Sequence, residues 1–190
     1  MKNIYLIGFM CAGKTSTGKA LARLLKRGFV DSDRTVEKKA GLKIAELATG
    51  KGLKFFRKLE AGAVRELAGK GGLVAALGGG IYPSRRWAGL MKRTGITVYL
   101  RCAWPELAKR LEKNRAGRPL LAGTNAKKRL AGVEKLFNKR RSFYEKSDLI
   151  IDISTLVPED AAKKIKAVIE KLRIEFQGLK NENGNTRFDH

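Results

Sequence analysis

Residues 8–15, Gly-Phe-Met-Cys-Ala-Gly-Lys-Thr, place two glycines, a lysine and a hydroxyl residue at the spacing of a phosphate-binding loop, or P-loop. The apolar run Ile4–Ile7 precedes the loop and an amphipathic pattern over Thr15–Lys26 follows it. Glycines let backbone N–H groups surround a phosphate, and the helix directs its positive end at the same anion. We predict that Lys14 reaches the β- and γ-phosphates of a nucleotide and that the Thr15 hydroxyl binds Mg²⁺. A glycine-containing turn without a ligand is the alternative.

Short apolar runs alternate with longer helical patterns along the chain, which is typical of βαβ units and predicts a parallel sheet. The predicted strands are Ile4–Ile7, Phe29–Asp31, Leu73–Leu77, Ile96–Leu100 and Leu149–Ile153. The predicted helices are Thr15–Lys26, Arg34–Ala40, Lys43–Thr49, Gly52–Lys70, Ser84–Arg93, Glu106–Lys113, Ala126–Tyr144 and Pro158–Phe176. We expect one domain over residues 1–177 and a polar, flexible tail over residues 178–190.

The net charge of +23, from 41 Lys and Arg against 18 Asp and Glu, is extreme for a chain of 190 residues. It has two interpretations: attraction to a polyanion such as nucleic acid, or a solvated basic surface around a site for anionic ligands. We favour the second, because the basic residues are spread along the whole chain and no nucleic-acid-binding motif is visible.

The few cysteines and the single histidine limit the kinds of disulfide, metal site and nucleophilic site that the chain can form. Cys11 and Cys102 are too few for a disulfide framework and fit a reducing compartment. The only histidine is His190, so zinc sites and Ser–His or Cys–His nucleophiles are close to excluded. The apolar residues 4–12 resemble a signal-peptide core only faintly, since they are few and run straight into the P-loop. We therefore expect a cytoplasmic protein without a membrane segment.

Two carboxylates, Asp31 and Asp33, follow the second predicted strand. Ligands of open parallel sheets bind at the carboxyl ends of the strands. One carboxylate is expected to help hold Mg²⁺ through its water shell, and the other to accept a proton from a substrate hydroxyl or only to orient it. A helix N-cap is the alternative role for residues of this type.

Several arginines and a glycine run are candidates for binding a small acid. Arg57 and Glu60 share a helix face, so Glu60 can orient a guanidinium that binds a carboxylate; a solvent-exposed ion pair is the alternative. Gly78-Gly79-Gly80 follows a strand and is read either as a close approach of backbone to a ligand or as a flexible turn. Near the end of a helix, Arg140 and Arg141 are both candidates, and the pattern alone does not choose between them.

The segment Arg115–Asn125 contains Gly117, Pro119 and Gly123 with several basic neighbours, and it predicts a mobile loop. Long functional loops often act as lids, so we expect a lid over about residues 113–125. Arg118 in this lid would close over the transferring phosphoryl group and stabilise its charge.

Taken in order, these motifs resemble those of the shikimate kinases, a family of the nucleoside-monophosphate-kinase-like P-loop group. The resemblance covers about residues 3–172. The matching motifs are the P-loop, Asp31-Ser32-Asp33, Phe56-Arg57 with Glu60, Leu77–Gly80, Arg118–Leu121, and Arg140 four residues before Tyr144. The resemblance implies a three-layer α/β P-loop kinase fold: a five-stranded parallel sheet in the order 2-3-1-4-5, flanked by helices, with substrate-binding helices at about 34–70 and a mobile lid.

The resemblance also implies transfer of the ATP γ-phosphoryl group to the 3-hydroxyl of shikimate, with Mg²⁺ as cofactor. Asp33 would serve as base and Asp31 would support Mg²⁺ together with Thr15. The shikimate pocket would be formed by Asp33, Arg57, Gly78, Gly79, Gly80 and Arg140. The nucleotide contacts would be Gly8, Cys11, Ala12, Gly13, Lys14, Thr15, Ser16, Arg110 and Arg118, with the segment near Pro158 beside the adenine.

One departure from the family pattern is Cys11, which stands where many relatives have glycine; we expect its side chain to point away from the phosphates. Two other functions stay open. A related kinase for gluconate or a nucleoside monophosphate would share the P-loop, and a nucleic-acid-binding protein would account for the charge. We expect a monomer whose partners are ATP and shikimate, with no specific nucleic acid.

Overall fold

The computed structural model describes residues 1–49, 52–82, 84–114 and 126–182. Within these ranges the strands are β1 (Asn3–Ile7), β2 (Phe29–Asp31), β3 (Val74–Ala76), β4 (Gly95–Arg101) and β5 (Leu149–Asp152). The helices are α1 (Lys14–Leu25), α2 (Ser32–Ala40), α3 (Ile44–Thr49), α4 (Gly52–Gly69), α5 (Arg85–Thr94), α6 (Trp104–Lys113), α7 (Ala126–Tyr144) and α8 (Pro158–Glu182).

All five strands form one parallel sheet in the order β2-β3-β1-β4-β5. This is the order that the family resemblance implies, and the α/β class is confirmed. Strand β1 lies at the centre, and its five residues are all buried, as expected for a strand covered on both faces. The carboxyl ends of β1, β2 and β3 are neighbours, so the segments that follow them meet at one edge of the sheet.

Consecutive residues of β1 show which helices cover each face of the sheet. The Tyr5 hydroxyl bonds with the Thr94 hydroxyl of α5 at 2.8 Å, so α5 covers the face to which Tyr5 points. The Leu6 side chain points the other way, to α1: a Cβ at Gly18 of α1 would lie 3.1 Å from it. Helix α8 packs against α1 on this second face. Two helical layers therefore enclose the sheet.

A second, smaller core supports the part of the chain that follows β2. Helices α2, α3 and α4 pack together around Val36, Leu47, Phe56 and Ala63, which are all buried. This cluster is separate from the main core, so α2 to α4 form a unit beside the carboxyl edge of the sheet. The unit carries Asp33 on α2 and Arg57 on α4.

The observed element boundaries differ from the predicted ones at a few ends. Helix α2 begins at Ser32 rather than at Arg34, because Asp31 caps it. Helix α6 begins at Trp104 rather than at Glu106, with a proline in its first turn, where the missing N–H has no helical partner. Helix α8 continues past the predicted end at Phe176.

Most of the predicted lid, residues 115–125, and tail residues 183–190 lie outside the described residues. In the described part of the chain, no helix has the length and apolar character needed to cross a membrane.

Candidate active site

The P-loop joins β1 to α1 and takes the backbone conformations that a phosphate cradle requires. Gly8 and Gly13 have φ angles of 142° and 82°, in the range that favours glycine. The Lys14 ammonium group donates to the carbonyls of Gly8 and Phe9 at 2.9 and 2.8 Å. The lysine therefore lies over the loop, with its charge beside the backbone that would surround a phosphate.

Cys11 has a φ of 60°, which an L-residue adopts at a cost of about 1 kcal/mol. This left-handed backbone explains why glycine suits the position. The half-buried Cys11 side chain packs against the main hydrophobic core.

The Asp31 carboxylate caps α2 and also contacts the P-loop. Its Oδ1 accepts hydrogen bonds from the backbone N–H groups of Asp33 and Arg34 at 3.0 and 3.4 Å, so it caps α2. Its Oδ2 accepts the Thr15 hydroxyl at 2.6 Å. The cap thus fixes a carboxylate against the hydroxyl of the P-loop, and oxygen atoms of these two kinds are ligands that hard cations prefer.

Asp33 lies in the first turn of α2 and lines the same cleft as Lys14. Burial raises the pKa of Asp33 to about 6; the positive charge of Lys14 opposes this shift, while the negative charges of Asp31 and Glu60 add to it. A carboxyl group with a pKa near neutrality is suited to proton transfer at physiological pH. A Cβ at Gly78 would lie 2.5 Å from Asp33 Oδ1, so glycine there leaves room for the carboxylate.

Arg57 and Glu60 form an ion pair on α4. Glu60 is buried, with 6% of its surface exposed, whereas the Arg57 side chain is 44% exposed, so this is not the fully exposed pair of the alternative interpretation. Burial raises the pKa of Glu60, and Arg57 opposes the shift. A Cβ at Gly80 would lie 2.9 Å from Arg57 Nη1. The glycine run therefore accommodates both Asp33 and Arg57.

The structure separates Arg140 from Arg141. The Arg140 guanidinium lies 6.0 Å from the centre of the Phe9 ring, beside the P-loop, and its charge acts on Glu60. Arg141 pairs with Glu145 at 2.7 Å on the surface, and its side chain is 55% exposed. Arg140 thus faces the site and Arg141 faces solvent.

Two buried residues that are not among the predicted site residues hold the glycine run. Ser32 Oγ accepts the Gly78 N–H at 2.8 Å, and the Tyr144 hydroxyl donates to the Gly79 carbonyl at 2.5 Å. Ser32 lies between two acidic candidates and Tyr144 one turn after Arg140, but the partners of both come from distant parts of the chain. Proximity to predicted site residues was therefore the only signal.

A cleft of about 530 Å³ runs along the P-loop. Its lining includes Asp33 and Gly79 at one side and Arg110 with Val157 and Pro158 at the other. Arg110 is fixed by Glu106 at 2.8 Å and by the Ser154 carbonyl at 3.2 Å, so it lies against the segment that follows β5. The predicted adenine contacts are thus brought together, and Asn114, which the sequence analysis did not select, also lines the cleft.

The remaining predicted nucleotide contacts are at the start of α1 and in the lid. Ala12 and Ser16 line the cleft together with Thr15. The Ser16 hydroxyl donates to the Gly13 carbonyl at 3.0 Å. Arg118 lies outside the described residues, so its contact with phosphate stays a prediction.

A sequence profile described as shikimate kinase matches residues 10–170. The chain belongs to the shikimate kinase family. The shikimate kinase of Thermodesulfovibrio yellowstonii is 38% identical over 172 residues, which cover 90% of this chain and 97% of the relative. That of Sulfurihydrogenibium sp. is 35% identical over 171 residues, which cover 90% and 99%.

Solved structures agree with this assignment. The shikimate kinase from Acinetobacter baumannii in complex with shikimate has a TM-score of 0.81 and 34% identity, and the match covers 90% of this chain and 94% of that one. A gluconokinase from Sinorhizobium meliloti has a TM-score of 0.58 at 17% identity, covering 93% and 97%, and so shares the fold alone. Membership of the shikimate kinase family makes the chain an ATP-dependent kinase, a phosphotransferase of aromatic amino acid biosynthesis.

Proposed function

We propose that this chain transfers the γ-phosphoryl group of ATP to the 3-hydroxyl of shikimate, giving shikimate 3-phosphate and ADP. The observation that carries the proposal is that three functional groups of different chemistry lie near one glycine turn. The P-loop lysine supplies a cation for phosphate, Asp33 supplies a carboxylate of raised pKa, and Arg57 supplies an oriented guanidinium for an acid. A small substrate with both a hydroxyl and a carboxylate fits this set.

In the nucleotide half of the site, the P-loop backbone and Lys14 would hold the β- and γ-phosphates. The adenine would lie between Arg110 and the Val157–Pro158 segment, which line the same side of the cleft. The Arg110 guanidinium is held by its bonds to Glu106 and Ser154, so its planar face would be preorganised for a flat base.

Thr15 and Asp31 fit a magnesium ion. A hydroxyl and a carboxylate lie together beside the loop, whereas no group of three or more His, Cys, Asp or Glu side chains suited to a metal occurs in the described part of the chain. Mg²⁺ commonly binds through one or two protein oxygens, with phosphates and water completing its shell. When bound, it would neutralise charge on the β- and γ-phosphate oxygens.

In the acceptor half, Arg57 and Arg140 would bind the shikimate carboxylate, with Glu60 orienting Arg57. The 3-hydroxyl would then point to Asp33. As the hydroxyl oxygen forms its bond to the γ-phosphorus, Asp33 would accept the hydroxyl proton, and the bond to the β-phosphate bridging oxygen would break to release ADP. Lys14 lies beside Asp33 and would stabilise the charge on the transferring group.

An ADP-release assay with shikimate, gluconate and AMP as acceptors tests the proposal. We expect turnover with shikimate and none above the ATP-only rate with the other two. Turnover with gluconate or AMP but not with shikimate would replace this proposal by a related kinase activity.

Replacement of Arg57 by alanine should chiefly weaken acid binding. Loss of a bidentate, charge-assisted contact corresponds to a rise in the KM for shikimate of about ten- to a hundredfold. The KM for ATP should stay near normal, because Arg57 is not among the residues that line the nucleotide cleft. Steady-state kinetics with each substrate varied in turn measures both values.

Arg141→Ala is the matched control, since this arginine forms an exposed pair with Glu145. It should leave both KM values unchanged. An equal rise of both KM values in the Arg57 variant would contradict the assigned role.

The predictions of a cytoplasmic monomer without a specific nucleic-acid partner stay predictions. The charge of +23 makes the last of these worth a direct test. We expect only weak, salt-sensitive binding in a mobility-shift titration at physiological salt. Tight binding there would support the nucleic-acid interpretation of the charge.

A further inference from the structure

The Gly78–Gly80 turn is held from two sides by side chains that the mechanism above does not use. Ser32, at the start of α2, accepts the Gly78 N–H, and Tyr144, at the end of α7, donates to the Gly79 carbonyl. Both side chains are fully buried, at 0% exposure. Each therefore has a fixed position from which to hold the turn. We call this pair the turn clamp.

The turn sets the room available to the two groups that would meet the substrate. A Cβ at Gly78 would lie 2.5 Å from Asp33 Oδ1, and one at Gly80 would lie 2.9 Å from Arg57 Nη1. A small displacement of the turn would therefore push on one of these groups, the Asp33 carboxylate or the Arg57 guanidinium, or would leave a gap beside the other. Displacements of about 1 Å at a site can lower the rate about a hundredfold.

The Tyr144 ring is anchored independently of its hydroxyl. It packs on the ring of Tyr99 in β4, with 5.3 Å between the centroids. Burial raises the pKa of Tyr144, so the phenol keeps its proton and stays a donor over the working pH range. The sheet thus fixes the position of the Tyr144 ring, and the hydrogen bond from its hydroxyl to the Gly79 carbonyl holds the turn relative to the sheet.

Tyr144 also links the turn to a proposed substrate arginine. Arg140 precedes it by one helical turn on α7, so the two side chains share a face, and the charge of Arg140 acts on Tyr144. The Gly79 backbone lies between this tyrosine and the P-loop: a Cβ there would be 3.6 Å from the Tyr144 hydroxyl and 3.4 Å from the Gly8 carbonyl.

We propose that Tyr144 is a positioning residue for the acid-binding half of the site, and that its hydroxyl, acting with Ser32, fixes the turn that places Asp33 and Arg57. This inference rests on the proposed function and deepens it. Tyr144 need not touch the substrate; it acts through the Gly79 carbonyl.

Tyr144→Phe removes the hydroxyl and keeps the ring. We expect the KM for shikimate to rise about tenfold, because the Gly79 carbonyl loses a buried donor and the turn shifts. The KM for ATP should stay within about twofold of the wild-type value. If the Tyr144 hydroxyl contributed only to stability, the variant would keep both wild-type KM values and would only have a lower melting temperature.

Tyr82→Phe is the matched control. Tyr82 is also buried, at 2% exposure, and its hydroxyl donates to a backbone carbonyl, that of Lys146, at 3.2 Å. The same atom is lost in a similar environment, but the carbonyl belongs to the segment between α7 and β5. Both KM values should stay at wild-type levels in this variant.

Ser32→Ala tests the other half of the clamp and decides the matter if Tyr144→Phe does not fold. It should show the same selective rise in the KM for shikimate. An unchanged KM for shikimate in a folded Tyr144→Phe, or an equal rise in both KM values, overturns the inference. A wild-type chain without turnover of shikimate overturns the proposed function as well, so the two failures are distinguished.

Discussion

Replacement of Lys14 by alanine should lower kcat with shikimate by at least about a hundredfold while the protein stays folded. The ammonium group lies over the P-loop, bonded to the carbonyls of Gly8 and Phe9, beside the backbone that would surround a phosphate. A preorganised charge of this kind stabilises the transferring phosphoryl group more than the bound ATP, so its loss falls on the chemical step. Single-turnover kinetics with saturating ATP measures that step directly.

Lys19→Ala provides the control for this variant. Lys19 lies on the same helix, α1, and is exposed. Lys19→Ala also removes one positive charge, so both variants have the same net charge and share any general effect of that charge on ATP binding. The control should keep wild-type kcat; full turnover in the Lys14 variant would remove the P-loop from the mechanism.

Asp33→Asn should lower kcat by about a hundred- to ten-thousandfold, the usual contribution of general acid–base catalysis. The pKa of Asp33 is about 6, so the carboxylate that accepts the proton predominates only above that pH. The kcat/KM of the wild-type enzyme should therefore fall as the pH drops below about 6, and this limb should be absent from the variant. A wild-type limb that persists unchanged in Asp33→Asn would assign the titration to another group.

The same substitution should affect stability in a pH-dependent direction. The folded pKa of about 6 exceeds the ordinary value of 3.8, so the folded state binds the Asp33 proton more tightly than the unfolded state does. The contribution of Asp33 to stability is therefore fully present below the ordinary pKa and is lost as the pH rises through the folded pKa. Asparagine carries no charge, so the variant should melt at a higher temperature than the wild type at pH 8, and this difference should shrink as the pH falls through about 6 and be small at pH 4. Thermal melts at the two pH values measure it.

Local patterns in the sequence predicted most of the fold. Strand β1 shows as a continuous apolar run and α4 as a long helical pattern, because burial imposes a period on nearby residues. The order of the strands did not come from such patterns. It depends on pairings such as Ile4 with Val74, between residues far apart in the chain, and the family resemblance supplied it.

The predicted site residues differ in how they were found. The P-loop is a contiguous segment whose spacing reflects its chemistry, so it was readable directly. Arg140 and Arg141 are neighbours of the same type, so the pattern alone left both open. The family resemblance selected Arg140, and the packing of α7 against Phe9 places Arg140 beside the P-loop. Asp31 was assigned to a helix cap or to a metal site, whereas its two oxygens serve the cap and the Thr15 hydroxyl at once.

The sequence by itself thus determined the P-loop, because its glycines, Lys14 and Thr15 act on a phosphate through local backbone geometry. It did not explain the glycine run after β3. Only the tertiary structure explained the glycine run. It brings Asp33 so close to Gly78 and Arg57 so close to Gly80 that a Cβ would collide with them, and it places the Tyr144 hydroxyl against the Gly79 carbonyl. The physical reason is distance along the chain: a pattern records the environment of neighbouring residues, whereas these contacts join segments that meet only when the sheet has formed.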